Sequence, residues 1–262
     1  WDTTLNASYF DQEISKIAQR PNVLDLVDDT GGNVVGKPVN GLWSFDFAGL
    51  SDQGFPTFNL GDGEDPLRDI DFQDIEDITD YLVYEGPTQA NFTGGLSNSF
   101  KYKNVDFSFF VTFAQGNKIR LAPTFSAVYN DLSVFSRDFN DRWLISGDEN
   151  VTSVPTIPSG AQLSAYGQNT LTRAYNAYNY STQRVADGSF IRMRNISLGY
   201  SFTSNVLSRL NLSQLRVSAQ ATNPFLIYSD SKLNGQDPEF IRSGGVAQPV
   251  PKQYTVSLNL AF

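Results

Sequence analysis

The sequence predicts an all-β protein made of antiparallel strands that belong to a transmembrane β-barrel. Three observations carry this prediction: apolar and polar residues alternate along several segments, aromatic residues reach 13% while charged residues stay at 18%, and the connections between the segments are short and long in turn. A barrel strand alternates because one face meets lipid and the other a polar lumen. No apolar run approaches the ~18 residues that a membrane-spanning helix needs.

Period-two alternation marks seven candidate strands, A to G. They are Thr3–Ile14, Leu42–Leu50, Phe92–Lys103, Val105–Ala114, Phe190–Phe202, Gln214–Phe225 and Gln253–Phe262. In strand D every second residue from Val105 to Phe113 is apolar, and neither this face nor the apolar face of strand G holds a charged residue. Lipid contact explains such clean faces, because a Lys or Arg there costs about 2–4 kcal/mol near the bilayer midplane.

The connections between the strands alternate in length. A tight turn at Lys103-Asn104 joins C to D, and residues 203–213, enough for one helical turn, join E to F. By contrast, the connections 51–91, 115–189 and 226–252 are far longer than the usual loops of a compact domain. Outer-membrane barrels have short periplasmic turns and long extracellular loops, so the pattern predicts that C, E and G run towards the periplasm.

Two arginines interrupt the apolar face of strand E. Arg192 and Arg194 share the parity of Ile196. They either lie at the outer rim, within reach of lipid phosphates, or a β-bulge switches the parity of the strand at this point. We expect the rim position.

The chain closes on the alternating decapeptide QYTVSLNLAF, and its apolar residues are Tyr254, Val256, Leu258, Leu260 and Phe262. If strand G runs towards the periplasm, Phe262 lies in the inner aromatic girdle on the lipid-facing parity. We expect these five residues to form the signal that closes the barrel during assembly. One alternating decapeptide fits a soluble β-sandwich equally well, so the alternative is a secreted glycan-binding sandwich or adhesin without transport activity.

Composition excludes several classes of function. The chain has no Cys and no His, which excludes thiol catalysis, disulfides, Cys/His zinc sites and His-based triads within it. A net charge of −9 argues against nucleic acid as a partner, because phosphate binding requires a basic surface. Pairs of Asp and Glu residues occur, but no feature of the sequence indicates that a carboxyl group in such a pair has a raised pKa. We therefore predict no enzyme, no catalytic residue and no resident cofactor.

Several motifs, in the same order along the chain, resemble the C-terminal end of SusC/RagA-type TonB-dependent transporters. They are Gly36–Pro56, Phe92–Ile119, Arg142–Pro155, Ser189–Phe202, Leu215–Ile227, Asp237–Phe240 and the closing decapeptide. The resemblance implies a plugged 22-stranded barrel in the bacterial outer membrane. It also implies TonB-driven import of oligosaccharides or peptides, with a SusD-like surface lipoprotein as lid.

The same resemblance implies that residues 1–262 form only the C-terminal segment of the barrel domain. A sheet of seven strands has two unpaired edge strands and an odd strand number, so it cannot close a single-chain barrel of this kind. We expect either a second chain or a further N-terminal part to supply the TonB box, the plug and the earlier strands.

Two segments between the strands are candidates for binding. Gly61–Asp80 is rich in carboxylates, which suits calcium, but its spacing is not that of an EF-hand, and a solvated external loop is the expected reading. In the longest connection, Tyr175, Tyr178 and Tyr180 either contact cargo or the lid protein, or pack the loop against its neighbours. The sequence favours neither of these two interpretations over the other.

Overall fold

The computed structural model describes residues 1–130, 137–241 and 251–262, and divides the chain into two compact units. The sheet unit consists of Trp1–Asp11, Ala90–Asn117 and Asp187–Phe262. The loop unit consists of Gln12–Gln89 and Lys118–Ala186. Along the chain, the loop unit is therefore two insertions between strands of the sheet unit.

Strands dominate the described residues. They are β1 (Asp2–Tyr9), β2 (Gly41–Phe45), β3 (Phe47–Leu50), β4 (Pro56–Phe58), β5 (Leu82–Pro87), β6 (Phe92–Tyr102), β7 (Val105–Gln115), β8 (Lys118–Arg120), β9 (Val185–Asp187), β10 (Phe190–Ser201), β11 (Gln214–Tyr228) and β12 (Gln253–Ala261). The α-helices are short: α1 (Val23–Val27), α2 (Ile78–Tyr81), α3 (Gly160–Tyr166), α4 (Gln168–Asn179) and α5 (Ser204–Arg209). Single 3₁₀ turns cover Arg137–Asp141, Asp148–Asn150, Thr182–Arg184 and Ser231–Leu233. Within the described ranges, no helix has the length and apolar content needed to cross a membrane.

The sheet unit is built on one six-stranded sheet in the order β1-β6-β7-β10-β11-β12. Every pairing in it is antiparallel. In the part of the chain that the structure describes, β1 pairs only with β6 and β12 only with β11, so the sheet is open at both edges. The predicted all-β antiparallel architecture is confirmed in this form.

Short and long connections leave the sheet at opposite ends, as the sequence predicts. At the short end, Lys103 takes a left-handed conformation with φ of 51° in the turn between β6 and β7. The connection from β10 to β11 holds α5, the helical turn expected there. At the other end, residues 10–91, 116–189 and 229–252 separate consecutive strands of the sheet.

The prediction for strand B is wrong. Residues Leu42–Leu50 divide into β2, which pairs with β5, and β3, which pairs with β4, and neither joins the six-stranded sheet. All residues of β2 are buried, because both of its faces are covered inside the loop unit. The large sheet therefore has six strands where the alternation predicts seven, and β1 pairs directly with β6. Strand A also ends earlier than expected, at Tyr9.

The rim position expected for the two arginines of strand E is wrong as well. The register of β10 shifts between Met193 and Asn195, so a bulge leaves Arg194 without a partner in the ladder. The bulge switches the parity of the strand. Arg192 therefore lies directly opposite Thr112 on the polar face of β7, and Arg194 donates from Nε to the Thr112 hydroxyl at 3.0 Å.

Both guanidinium groups have acidic partners in the connection between β11 and β12. Arg192, only 3% exposed, pairs with Asp237, and its Nε lies 3.2 Å from a carboxylate oxygen of Glu239. Arg194 approaches the other oxygen of Glu239 at 2.5 Å. A buried charge is costly unless it is paired, and the bulge places both arginines on the polar face within reach of these carboxylates.

The loop unit has an aromatic core. Phe45 of β2 lies with its ring centroid 5.7 Å from that of Phe58 and meets Phe72 edge-on at 5.4 Å. Tyr178 of α4 meets Phe47 edge-on at 5.5 Å. Such tilted and edge-to-face contacts are the favoured geometry of aromatic pairs. Part of the aromatic content therefore serves an ordinary buried core.

Candidate membrane-facing surface and loop-unit cleft

One face of the six-stranded sheet, here called the apolar face, carries apolar side chains in continuous cross-strand rows. Two adjacent rows read Leu258–Val217–Tyr200–Val105–Tyr102 and Val256–Ala219–Leu198–Phe107–Phe100. Leu258 is 59% exposed and Leu198 53% exposed, so nothing in the sheet unit covers this face. The sandwich alternative requires a second sheet over it and a dry interior at Leu258 and Phe262, and the described residues contradict both requirements.

Aromatic side chains flank the apolar face at both ends of the strands. Tyr102, Tyr200 and Phe262 lie at the end with the short connections, and Tyr9 and Tyr254 at the end with the long ones. Tyr254 and Phe262 are separated by about 26 Å at roughly 3.3 Å per residue. The apolar band of an outer-membrane barrel is about 25 Å tall and is bounded by aromatic girdles. Because barrel strands tilt by about 35–45°, this separation projects to about 20 Å along the membrane normal, which is comparable with the height of the apolar band.

No charged residue lies in the rows of the apolar face, and the polar groups of Trp1 and Thr3 are hydrogen-bonded to Asn98. Thr3 donates its hydroxyl to the side-chain oxygen Oδ1 of Asn98 at 2.6 Å, and the Trp1 indole N–H donates to the same oxygen at 3.1 Å. The Trp1 ring also stacks on Phe100 at 5.9 Å, which leaves Asn98 only 7% exposed. Such pairing matters in hydrocarbon, where an unpaired polar group is expensive. Asn98 falls on the apolar parity of its strand, a signal that the sequence reasoning did not use.

The opposite face of the sheet is polar. One of its rows reads Thr255–Gln220–Ser197–Ser108–Ser99–Asp2. Near the short connections, Arg216 of β11 and Asp106 of β7 form an ion pair at 2.6 Å across β10. They meet over Gly199, where an added Cβ would lie 2.6 Å from the guanidinium and 3.0 Å from the carboxylate. A glycine is needed there to let the charges meet. This face suits contact with water.

The five apolar residues of the closing decapeptide share the apolar face, as their parity predicts. Tyr254, Val256, Leu258, Leu260 and Phe262 are 72%, 77%, 59%, 49% and 92% exposed, respectively. They belong to β12, an edge strand within the described residues, or follow directly after it. Their assignment as the barrel-closing signal stays a prediction.

The three tyrosines of the longest connection separate into two environments. Tyr175 and Tyr178 are 1% and 2% exposed in the core of the loop unit, where the packing alternative puts them. Tyr175 donates its hydroxyl to the Thr156 carbonyl oxygen, and burial raises the pKa of both phenols. Neither ring is at the surface. Tyr180, just beyond α4, is half-buried and is therefore the tyrosine of the three that a ligand can reach.

Tyr180 lines an open cleft of about 960 Å³ in the loop unit, here called the Tyr180 cleft. Its other walls come from the segment 17–33, which includes α1 and the turn after it. Burial raises the pKa of Tyr180, and the nearby carboxylate of Asp28 acts in the same direction. The cleft combines an aromatic ring, polar side chains and a few apolar ones.

Arg120 is a buried residue of the loop unit that the sequence reasoning missed. Its guanidinium donates to the carbonyl oxygens of Trp43 at 2.5 Å, Ser181 at 2.9 Å and Val27 at 3.2 Å, and to the Ser44 hydroxyl at 3.2 Å. Burial lowers the pKa of Arg120 to about 10. The side chain ties α1, β2 and the segment after α4 together. Nothing in the local sequence marks it, because all its partners are distant along the chain.

The acidic segment 61–80 lines a separate cavity of about 780 Å³ in the loop unit. Three carboxylates of this segment cap their own turns: Asp65, Asp71 and Asp74 accept from backbone amides two residues later at 2.9–3.0 Å. Among the residues that the structure describes, no group of three or more carboxylates is arranged to hold a metal ion. The interpretation as a solvated external loop is consistent with this local capping.

Sequence comparisons relate the chain to TonB-dependent receptors. No family model matches it. A TonB-dependent receptor of Formosa agariphila is 25% identical over 291 residues, covering 95% of this chain and 26% of the receptor. The TonB-dependent receptor SusC of Bacteroides thetaiotaomicron is 31% identical over 189 residues, covering 71% of this chain and 16% of SusC. The chain thus spans about a quarter or less of the length of these curated relatives.

Structural comparison gives the same relationship at the level of the fold. The solved structure of the RagAB peptide importer in its closed-closed state matches 99% of this chain and 27% of the solved chain, with a TM-score of 0.67 and 21% identity. Its open-open state matches with a TM-score of 0.65. Identity this low shows the fold alone, and that fold agrees with the sequence relatives. The chain belongs to the SusC/RagA-type TonB-dependent receptors.

Proposed function

We propose that this chain is part of a TonB-dependent importer of the bacterial outer membrane, and that its six-stranded sheet is a portion of a 22-stranded transmembrane barrel. The observation that carries the proposal is the apolar face, which is uncharged and continuous across the strands and has aromatic residues at both ends. A polar face lies behind it, as a barrel lumen requires.

In this proposal residues 1–262 are the C-terminal segment of the barrel domain. The short connections are periplasmic turns and the long ones extracellular loops. The open edges of β1 and β12 pair with strands of the remaining N-terminal part, which also supplies the plug and the contact with TonB. Tyr254, Val256, Leu258, Leu260 and Phe262 act as the barrel-closing signal.

The cargo class is an oligosaccharide or a peptide, and the partner is a SusD-like surface lipoprotein that acts as a lid. The names of the relatives support import: SusC is a TonB-dependent receptor and RagAB is a peptide importer. We assign the chain no catalytic role and no nucleic-acid partner. Membrane lipid is the partner of the apolar face.

Arginine substitution on the two faces of β10 tests the proposal in the complete transporter expressed in its outer membrane. Leu198→Arg puts a charge on the apolar face and should cost about 2–4 kcal/mol, which reduces the amount of heat-resistant folded barrel in outer-membrane fractions. Ser197→Arg puts the same charge on the polar face and serves as the matched control, with insertion close to wild type. Equal loss in both variants, or recovery of the protein in the soluble fraction, would contradict the proposal.

A further inference from the structure

The Tyr180 cleft holds polar groups that the protein itself does not use. The side chains of Gln19 and Arg20 form no hydrogen bond or ion pair with any described residue, and neither does the hydroxyl of Tyr180. The volume of about 960 Å³ lies within the range of small-molecule sites, roughly 300–1,000 Å³. In the acidic cavity, by contrast, the carboxylates of Asp71 and Asp74 accept hydrogen bonds from their own turns.

The ring of Tyr180 is held in place before any ligand arrives. Its carbonyl oxygen accepts from the Phe45 amide at 3.0 Å, and its own amide bonds back to α4. The ring meets Phe72 edge-on at 6.0 Å, and the guanidinium of Arg120 lies 5.9 Å from its centroid. Arg120 is itself fixed by its four hydrogen bonds. A ring fixed in this way loses little freedom on binding.

The opposite wall of the cleft is also locally ordered. Asn22 and Asp25 cap α1 reciprocally: the Asp25 amide donates to Asn22 Oδ1 at 2.8 Å, and the Asn22 amide donates to Asp25 Oδ2 at 3.0 Å. Asp28 accepts from the Thr30 hydroxyl at 3.1 Å. The wall therefore presents carboxylates of fixed direction beside the unused amide and guanidinium groups of Gln19 and Arg20.

The chemistry of the cleft favours a neutral polyhydroxylated ligand. Arg20 supplies one positive charge against the two carboxylates of Asp25 and Asp28, so neither a strong anion nor a strong cation is preferred. Peptides are commonly bound along a sheet edge, in an apolar helix groove or on a row of aromatic rings, and the residues lining this cleft form none of these. Planar amide, carboxylate and guanidinium groups beside one aromatic ring instead match the hydroxyls and the C–H face of a sugar.

We propose that the Tyr180 cleft binds a neutral oligosaccharide, with Tyr180 stacking on a sugar ring and Gln19 and Arg20 bonding to its hydroxyl groups. The inference rests on the proposed importer function, because it selects the cargo class of that importer. It makes the segment 17–33 part of cargo recognition, a segment that no motif in the sequence singles out.

The test uses the complete transporter, purified in detergent, on an array of neutral oligosaccharides and on an array of peptides. Wild type should bind at least one neutral oligosaccharide. Titration with that sugar should show affinity about tenfold weaker for Arg20→Ala and Gln19→Ala, as expected for the loss of a hydrogen bond of about 1.4 kcal/mol. Both residues are exposed, so these variants should fold. Tyr180→Phe, which keeps the ring, should lose less than Tyr180→Ala.

Two matched controls come from the same unit. Arg68→Ala removes an exposed arginine that pairs only loosely with Asp65 at 3.9 Å, and Tyr81→Phe removes a half-buried hydroxyl bonded to Asp74. Both should bind the sugar like wild type. Binding of peptides but of no oligosaccharide would overturn the inference, as would binding of neither class, or wild-type affinity in Arg20→Ala and Gln19→Ala. Outer-membrane fractionation and TonB-dependent uptake, measured in parallel, report separately on the importer function.

Discussion

Strands β2 and β12 show how similar alternation leads to opposite environments. In β2 every residue is buried, whereas in β12 all but the last are exposed. The loop unit covers both faces of β2 with its own aromatic side chains, and the sheet unit leaves Val256 and Leu258 uncovered. Two-residue periodicity therefore identifies a strand but not the medium that covers it. The loop unit buries its apolar side chains in its own core, whereas the apolar face of the sheet unit needs an apolar phase around it.

Alkaline pH should produce the largest difference between the two units. Burial raises the pKa of Tyr81, Tyr175 and Tyr178 in the loop unit, and that of Tyr129 to about 12. These folded-state pKa values lie above the unfolded value of 10.0, so the unfolded state loses its protons first and stability falls as pH rises above 10. The lowered pKa of Arg120, about 10, opposes this trend only partly, because it is a single group against several tyrosines whose pKa is raised.

The measurement is an alkaline titration of the intact transporter in lipid vesicles, followed by phenolate absorbance and by protease cleavage in residues 12–89 and 118–186. The buried phenolates should appear together with cleavage, well above pH 10. Tyr175→Phe should raise the pH of cleavage. Full phenolate absorbance at pH 10 with the loop unit still resistant would contradict the assigned burial.

Loss of Arg120 should be the most damaging single substitution in the loop unit. Arg120→Met leaves three buried carbonyl oxygens and the Ser44 hydroxyl without their donor. Each unpaired buried group costs about 1–3 kcal/mol, so the loop unit should lose about 3 kcal/mol or more. Protease resistance of the loop unit measures this loss, with exposed Arg68→Met as the control. Protease resistance equal to that of wild type would show that the hydrogen bonds of Arg120 do not stabilise the loop unit.

On the apolar face, the contact between Thr3 and Asn98 should give a smaller effect. Thr3→Val removes the hydroxyl donor and should lower the free energy of unfolding in lipid by about 1 kcal/mol. Thr4→Val, one residue along β1 and on the polar face, is the matched control and should change stability less. Denaturant unfolding in vesicles measures both variants. A larger loss in Thr4→Val would reverse the assignment of the two faces.

The ion pair on the polar face should contribute least. Asp106→Asn removes the partner of Arg216, and both side chains are about a third exposed, so the loss should be about 0.5–1 kcal/mol. Because water reaches the pair, the loss should shrink as salt is raised towards about 1 M. Unfolding at low and high salt checks this expectation. A loss that is independent of salt would place the pair in a dry environment.

The sequence predicted the sheet unit better than the loop unit, for a physical reason. The hairpin from Phe92 to Gln115 follows from local alternation and a tight turn, so the predicted strands C and D nearly coincide with β6 and β7. Residues 42–50 have the same alternation, but segments distant along the chain cover both faces of β2. The local sequence pattern does not indicate that these segments pack there. The sheet register itself depends on pairing partners that are distant along the chain.

Polar contacts between distant segments were the least predictable. Arg192 and Arg194 leave the apolar face because Asp237 and Glu239, 45 residues further along, reach them. Similarly, the Tyr180 cleft joins residues 17–33 to a tyrosine beyond α4. The sequence did name Tyr180 as a candidate contact, but it gave Tyr175 and Tyr178 equal standing. Only the packing of α4 separates the buried rings from the accessible one.

Spin-label accessibility along β12 shows whether the apolar face of the sheet lies in the membrane. The chain has no cysteine, so single labels can be attached through Thr255→Cys, Val256→Cys, Ser257→Cys and Leu258→Cys in the transporter reconstituted in lipid vesicles. If the apolar face meets lipid, labels at 256 and 258 should be highly accessible to oxygen, which dissolves in lipid. Labels at 255 and 257 should instead be accessible to a water-soluble nickel complex or be in contact with protein. Absence of this alternation, or its reversal, would contradict the assignment of the apolar face to the membrane.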